Sequence, residues 1–328
     1  MKKFKLRSLL KAMAVMILPL SLASCNSDDD NESSSANIEA PKYEAEAAKY
    51  EITSSDADYS SIELTASGNY IIVKNPSTNG ARTLAGRSTE VSATKHFSLL
   101  RPAKKSVASR AGEWGSGILY GTFTKVGENE YKLGNLGTLK VTVKNGVACS
   151  LNLVYSDGTT KTFDGNKSEV KGNTGALTNF MCRTWNISQI RVYYKLNGQA
   201  LFDISANSFN ELAQKIKEFI KNNDSEEDFD ESDFEVPNPA KQIIITKNNT
   251  YMVVYEDSEL AIANWKWENE SQGKFRYSWD VESSYEEYTS IATAASQGNN
   301  LIITEEYTDT EDGETETSGT VYTLTEAK

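Results

Sequence analysis

Length, composition and charge already exclude several functions for this chain of 328 residues. A net charge of −12 disfavours nucleic acid as a partner, because phosphate binding requires clustered lysine and arginine. The single histidine, His96, argues against serine or cysteine catalysis with a histidine base and against a zinc site, and the chain carries no phosphate-binding glycine loop or dinucleotide motif.

The first residues predict a cleaved signal. Lys2, Lys3, Lys5 and Arg7 precede an apolar run, residues 12–23, which is shorter than the roughly 18 to 20 residues of a spanning helix. The run ends in Leu-Ala-Ser-Cys at residues 22–25, which resembles the lipobox of bacterial lipoproteins. The resemblance implies a signal peptide at residues 1–24, acylation of Cys25 and attachment of the mature protein to a membrane through that lipid.

Residues 25–40 predict a flexible tether, because they are rich in Ser, Asp, Asn and Glu and hold almost nothing to bury. The acidic run at residues 26–32 resembles the export signal of Bacteroidetes surface lipoproteins, which implies display on the outer face of the outer membrane. Loss of residues 1–24 removes five positive charges and no negative one, so the net charge changes from −12 to −17.

Residues 41–175 predict an N-terminal β domain. A helix is expected from Pro41 to about Tyr50, because Tyr43, Ala47 and Tyr50 recur at helical spacing. Beyond it the pattern alternates, and Gly68-Asn69, Asn145-Gly146 and Asp157-Gly158 lie where tight hairpin turns fit. Consecutive hairpins predict an antiparallel meander.

A basic insertion at 76–112 interrupts this domain with seven basic residues and one acidic residue. Loops of this length are either disordered or functional, and we expect a flexible segment. The alternative is an arm that binds an acidic glycan, a lipid headgroup or a protein. The eight carboxylates of residues 224–235 offer a partner within the same chain.

Residues 181–328 predict a second β domain with one amphipathic helix. Ser208 and Glu211 have the spacing of a capping box, and the apolar residues that follow repeat at helical spacing. Eight strand candidates occupy residues 185–196, 242–246, 250–255, 260–267, 274–281, 288–295, 301–307 and 317–324. Eight sequential antiparallel strands with short turns favour a closed barrel, which leaves no exposed edge.

This second domain resembles the lipocalin-like domains of Bacteroidetes lipoproteins of unknown function. The resemblance rests on Trp185 at the start of the first strand, the helix after that strand and the Thr-rich last strand. It covers residues 181–328 only and implies a lipocalin-like eight-stranded barrel there. With the N-terminal hairpin pattern, the chain is expected to have a mainly β fold of two antiparallel domains. Arg183 stands where lipocalins have glycine, a departure that bears on ligand binding more than on the barrel.

A short repeat links the two domains. Leu64-Thr65 and the segment 70–73 (Tyr-Ile-Ile-Val) align without gaps on Ile245-Thr246 and the segment 251–254 (Tyr-Met-Val-Val). The alignment indicates either duplication of a strand-turn-strand unit or chance similarity between two amphipathic hairpins.

Two cysteines remain after Cys25, and the residues leave their state open. An oxidising compartment permits a disulfide between Cys149 and Cys182. Alternatively, Cys149 is a small buried apolar residue, because it shares one strand face with Val147, Leu151 and Leu153.

Aromatic residues give the only positive indication of a binding site. Large rings alternate on two neighbouring strands and are expected to converge with the first tryptophan of the domain: Trp185, Trp265, Trp267, Tyr277 and Trp279. They form either the barrel core or an apolar or sugar-binding site.

The sequence therefore predicts a lipid-anchored surface protein that binds without catalysis, with no metal or cofactor. The expected ligand is a glycan, a small apolar molecule or an envelope protein. A structural or adhesive envelope component is the alternative. A carboxylate-dependent hydrolase is a third hypothesis, which composition alone does not exclude.

Overall fold

The computed structural model describes residues 39–55, 57–75, 117–169, 173–223, 238–278, 290–311 and 313–327. The signal peptide, Cys25, most of the tether, the basic insertion, the acidic segment 224–235 and Trp279 lie outside the described residues. The predictions made for them stay predictions. Among the residues that are described, no helix has the length and apolarity needed to cross a bilayer.

The N-terminal domain is a closed barrel of eight antiparallel strands. Each strand pairs with the next along the chain, and the first pairs with the last through Tyr50 opposite Lys167. Residues that alternate along the strands fill the interior, with Tyr59, Ile62 and Leu64 completely buried. The strands are β1 (Ala48–Ile52), β2 (Tyr59–Leu64), β3 (Asn69–Lys74), β4 (Ile118–Gly127), β5 (Glu130–Leu133), β6 (Gly137–Asn145), β7 (Ala148–Tyr155) and β8 (Thr160–Lys167).

The helix expected from Pro41 to Tyr50 is wrong beyond a single 3-10 turn at Glu44–Glu46. Residues from Ala48 form β1, in which Ala48 and Tyr50 alternate into the barrel. Both edges of β1 are hydrogen-bonded, to β2 and to β8. Closing the barrel therefore outweighs the local helical spacing, because an open barrel would leave two rows of backbone groups unpaired.

The hairpins predicted at Asn145-Gly146 and Asp157-Gly158 are present, between β6 and β7 and between β7 and β8. In each pair only the glycine takes a positive φ, 65° at Gly146 and 86° at Gly158. The turns thus differ from the tight form in which both residues have positive φ.

The C-terminal domain also closes into eight antiparallel strands, as predicted, and a ninth strand pairs with the first strand outside the closed ring. The first strand pairs with the last over residues 185–196 and with the third at residues 184–186. Its elements are α1 (Ala176–Met181), β9 (Thr184–Leu196), β10 (Gln199–Ala206), α2 (Phe209–Asn223), β11 (Ala240–Ile245), β12 (Thr250–Tyr255), β13 (Leu260–Asn269), a 3-10 turn (Glu270–Gln272), β14 (Lys274–Ser278), β15 (Ser290–Gln297), β16 (Asn300–Glu311) and β17 (Glu314–Glu326).

Strand β10 is the extra element, and sequence reasoning missed it. It forms a hairpin with β9 through Asn197 and Gly198, both of which have positive φ (49° and 78°). Across the hairpin, Arg191 donates two hydrogen bonds to Asp203 (2.8 and 2.7 Å). This pairing lowers the pKa of Asp203.

Helix α2 begins as the capping box predicted. The Ser208 hydroxyl accepts a hydrogen bond from the Glu211 N–H (3.1 Å), and the Glu211 carboxylate accepts one from the Asn207 N–H (2.8 Å). The apolar face of α2 packs on β10, where Phe219 contacts Phe202 with ring centroids 5.1 Å apart.

Arg183, at the position where lipocalins have glycine, is almost fully buried just before β9. Its guanidinium donates to the Glu39 carbonyl (2.9 Å) and to the Glu326 carboxylate (2.8 Å). Arg183 therefore connects the residues that precede the first barrel to the last strand of the second barrel.

The two barrels pack against each other through outer sheet faces. Ile71 of the first barrel and Ile244, Met252 and Val254 of the second form a separate buried cluster. At its edge the Tyr120 hydroxyl donates to Gln242 (3.1 Å). Strand β12 is buried along its whole length, because alternate residues fill its own barrel and this interface. Such two-sided burial explains the unbroken apolar run at residues 251–254.

The repeated segments are the same hairpin in each barrel. Thr65 and Thr246 each accept a hydrogen bond through the side-chain hydroxyl from the backbone N–H four residues later (3.0 and 3.3 Å). The residue before the second strand, Gly68 in one hairpin and Asn249 in the other, has positive φ (86° and 67°). The sequence similarity therefore corresponds to equivalent structure.

The disulfide alternative is wrong in this structure. Cys149 and Cys182 are both free thiols, and each is buried among core residues of a different barrel. Burial raises the pKa of both thiols. The other interpretation of Cys149, as a small buried apolar residue, agrees with its position in the core of the first barrel.

Candidate functional site

The predicted aromatic residues converge, but in the packed interior of the C-terminal barrel. Trp185 and Trp265 are fully buried (0% exposed), and Trp267 and Tyr277 nearly so. Trp265 and Trp267 meet edge to face with centroids 5.3 Å apart. A ligand could reach these rings only by displacing packed side chains, so their role in ligand binding stays a prediction. Trp279, the fifth ring of the predicted site, lies outside the described residues.

Each of the three tryptophans also has a hydrogen-bond partner for its indole N–H, which is typical of buried rings. Trp185 donates to the Met181 carbonyl (2.8 Å) and Trp265 to the Thr246 carbonyl (3.0 Å). Trp267 donates to the Thr178 hydroxyl (2.7 Å). These bonds fix α1 and the β11–β12 hairpin against one end of the barrel.

Helix α1 is held by Glu270, which accepts hydrogen bonds from the backbone N–H and the hydroxyl of Thr178 (2.9 and 2.8 Å). Gly175 leaves the space for this carboxylate, because a Cβ there would lie 2.1 Å from a Glu270 oxygen. The link between the barrels is therefore positioned by residues of the second barrel.

Glu305 is an inward-facing carboxylate of the same barrel. It accepts hydrogen bonds from the hydroxyls of Tyr277 and Tyr322. Burial, and secondarily Glu305, raises the pKa of Tyr277 well above its usual range. Within the described part of the chain, no group of three or more His, Cys, Asp or Glu side chains could hold a metal ion. No feature of the described residues indicates catalysis.

A cleft of about 390 Å³ lies between the two barrels, and sequence reasoning did not identify it. Its two walls are the equivalent hairpins, residues 64–67 of the first barrel and 245–248 of the second. Residues 173–179 of the linker and α1, together with Glu44 and Ala47 before β1, complete the lining. We call this space the interbarrel cleft.

The buried part of the interbarrel cleft is neutral. Leu64, Ile245 and Cys182 contribute apolar surface, and Thr65 and Thr246 contribute hydroxyls that are already bonded within their hairpins. Desolvation by burial raises the pKa of Cys182 well above its ordinary value, with smaller opposing and reinforcing effects from Lys247 and Glu44. The thiol is therefore protonated and unreactive at neutral pH.

The mouth of the interbarrel cleft is charged. Glu44 of the first barrel forms an ion pair with Lys247 of the second, and both side chains are partly exposed. Asn173 supports Lys247 from the linker by donating to its carbonyl oxygen (2.8 Å). Exposed Thr174 and Asn179 line the same opening.

A buried carboxylate holds one wall in place. Glu63 is 2% exposed and accepts hydrogen bonds from the Thr250 hydroxyl (2.7 Å) and the Asn248 side-chain amide (3.0 Å). Both donors belong to the opposite barrel. This arrangement leaves Asn248 Oδ1 buried without a hydrogen-bond partner among the described residues.

Comparisons with known proteins add no family to this description. Neither a protein-family model nor a curated protein matches the chain. The chain is similar to the crystal structure of a protein of unknown function from the DUF3598 family of Nostoc punctiforme PCC 73102. That likeness has 8% sequence identity and a TM-score of 0.20, and it covers 85% of this chain and 94% of the other. At this TM-score it bears on neither fold nor function.

Proposed function

We propose that the protein is a lipid-anchored, non-catalytic binding protein of the outer cell surface whose ligand occupies the interbarrel cleft. The lipobox at residues 22–25 and the acidic run that follows support the anchoring and the location. The cleft supports the binding role. Its volume of about 390 Å³ is at the small end of the range of about 300 to 1,000 Å³ for ligand sites.

The observation that carries this proposal is the set of hydrogen bonds that join the cleft walls to the opposite barrels. The β2–β3 hairpin is joined to the second barrel by Glu63 and by Asn69, whose side-chain oxygen accepts from the Thr184 hydroxyl (2.7 Å). A site whose walls are already fixed loses little conformational freedom on binding, and this preserves affinity. Apolar surface in the buried part and polar groups at the mouth favour a small ligand that has both apolar and polar parts.

A structural or adhesive role in the envelope is the second candidate. It is favoured by the interior of the C-terminal barrel, where the described aromatic side chains pack against each other. Under this hypothesis the barrels serve as rigid bodies that contact other proteins.

Native mass spectrometry of mature protein, extracted from its own envelope in mild detergent, tests the proposal. We expect a retained small-molecule mass that disappears in a Thr174→Trp variant, because the indole would fill the cleft mouth. Val143→Trp is the matched control, since Val143 is 50% exposed on β6 and does not line the cleft. Absence of any retained mass would refute the proposal, and a co-purifying polypeptide would support the structural role instead.

A further inference from the structure

The lining of the interbarrel cleft contains one cationic and one anionic side chain, among the described residues. They are Lys247 and Glu44, and they belong to opposite barrels. A partly exposed ion pair contributes little to stability, because solvent screens both charges. A ligand that offers each partner a new counter-charge can therefore open this pair at little cost.

The other polar groups of the cleft are neutral amides and hydroxyls. Asn173, Asn179 and Asn248 supply amides, and Ser67 and Thr174 supply hydroxyls. No aromatic ring belongs to the described lining, so a sugar ring would have no face on which to stack. The net charge of the lining is zero, which disfavours a ligand that carries only one sign of charge.

We propose that the interbarrel cleft binds a small zwitterion, namely a free α-amino acid. Its ammonium group pairs with Glu44, and its carboxylate pairs with Lys247. This inference rests on the proposed function and specifies the chemistry of its ligand. The cleft volume of about 390 Å³ suits one small molecule.

Isothermal titration calorimetry on the lipidated, detergent-solubilised protein tests the inference with the twenty common amino acids, singly. We expect at least one to bind, and its N-acetyl and methyl ester derivatives to bind at least about tenfold more weakly, because each lacks one charge-assisted contact. Glu44→Gln and Lys247→Met should each weaken binding by about tenfold. Glu46→Gln is the matched control, because Glu46 pairs with Lys125 (2.7 Å) outside the cleft.

The outcomes separate this inference from the proposed function. Amino-acid binding that ignores both Glu44→Gln and Lys247→Met would place the ligand elsewhere and overturn the inference. Binding of glucose or galactose, but of no amino acid, would overturn the inference and leave the proposed function standing. If no compound binds and native mass spectrometry retains no small molecule, both fail.

Discussion

Truncation of Met252 to alanine should weaken the contact between the barrels. Met252 is fully buried, and it lies between the barrels rather than inside one, in contact with the cluster that includes Ile71 and Ile244. Met→Ala in a core costs about 2 to 5 kcal/mol, depending on how far the surroundings collapse into the space. Two packed sheet faces can approach each other more easily than a closed barrel can shrink. We therefore expect the lower part of this range, about 2 to 3 kcal/mol.

The measurement is denaturant unfolding followed in parallel by far-UV circular dichroism and tryptophan fluorescence. Ile291→Ala is the control, because Ile291 is 38% exposed on β15 of the same barrel and its truncation should cost less than about 0.5 kcal/mol. If Met252→Ala changes the free energy of unfolding no more than Ile291→Ala, then the barrels do not pack through this cluster and the rigidity of the cleft is unsupported.

Four further predictions concern the anchor, the core, the linker and the thiols. Cys25→Ala should release the protein from membranes without changing its circular dichroism; continued membrane retention in a fractionation assay would refute lipid attachment. Trp185→Ala should lower the free energy of unfolding by about 3 to 5 kcal/mol, since the ring is fully buried, and an unchanged denaturation midpoint would place the ring at the surface. Gly175→Ala and Glu270→Ala should each cost about 1 to 2 kcal/mol through the same two hydrogen bonds to Thr178, so a double-mutant cycle should show that their costs do not add; full additivity would mean that the two residues act separately. In a soluble form that begins at residue 26, Ellman's reagent should find no reactive thiol in the native state and two after denaturation without reductant, whereas none after denaturation would indicate a disulfide.

Local turn signals predicted much of the fold. Gly68, Gly146 and Gly158 are all at hairpins with positive φ, where side chains other than glycine are strained. The alternation of apolar residues between such turns was enough to indicate antiparallel strands and barrel closure in the second domain. Strand β10 could have been found by the same signal, because Asn197-Gly198 is an Asn-Gly pair between two alternating runs.

Predictions that depended on distant partners were less successful. The spacing of Tyr43, Ala47 and Tyr50 suits a helix, but β1 is decided by the two strands on either side of it, one of them β8 at the far end of the domain. The four described aromatic residues of the predicted set lie in one cluster, yet the sequence does not show whether a barrel interior is open or filled.

The interbarrel cleft could not be predicted, because it too depends on segments that are far apart in the sequence. Its polar lining residues, such as Asn173, Asn179 and Asn248, belong to the linker, to the short helix α1 and to a hairpin turn, and nothing in the sequence distinguishes them. The repeat aligned the two wall hairpins, at residues 64–70 and 245–251, with duplication and chance similarity as alternatives. It did not indicate that they face each other, because that depends on the outward residues of β3 and β12.

A crystal structure of the mature protein, purified from its own envelope without denaturation, tests the central claim most directly. The account predicts electron density for a small non-protein molecule between Glu44 and Lys247, in contact with the two wall hairpins. Such density inside the C-terminal barrel beside Trp265, with only ordered water in the cleft, would contradict it.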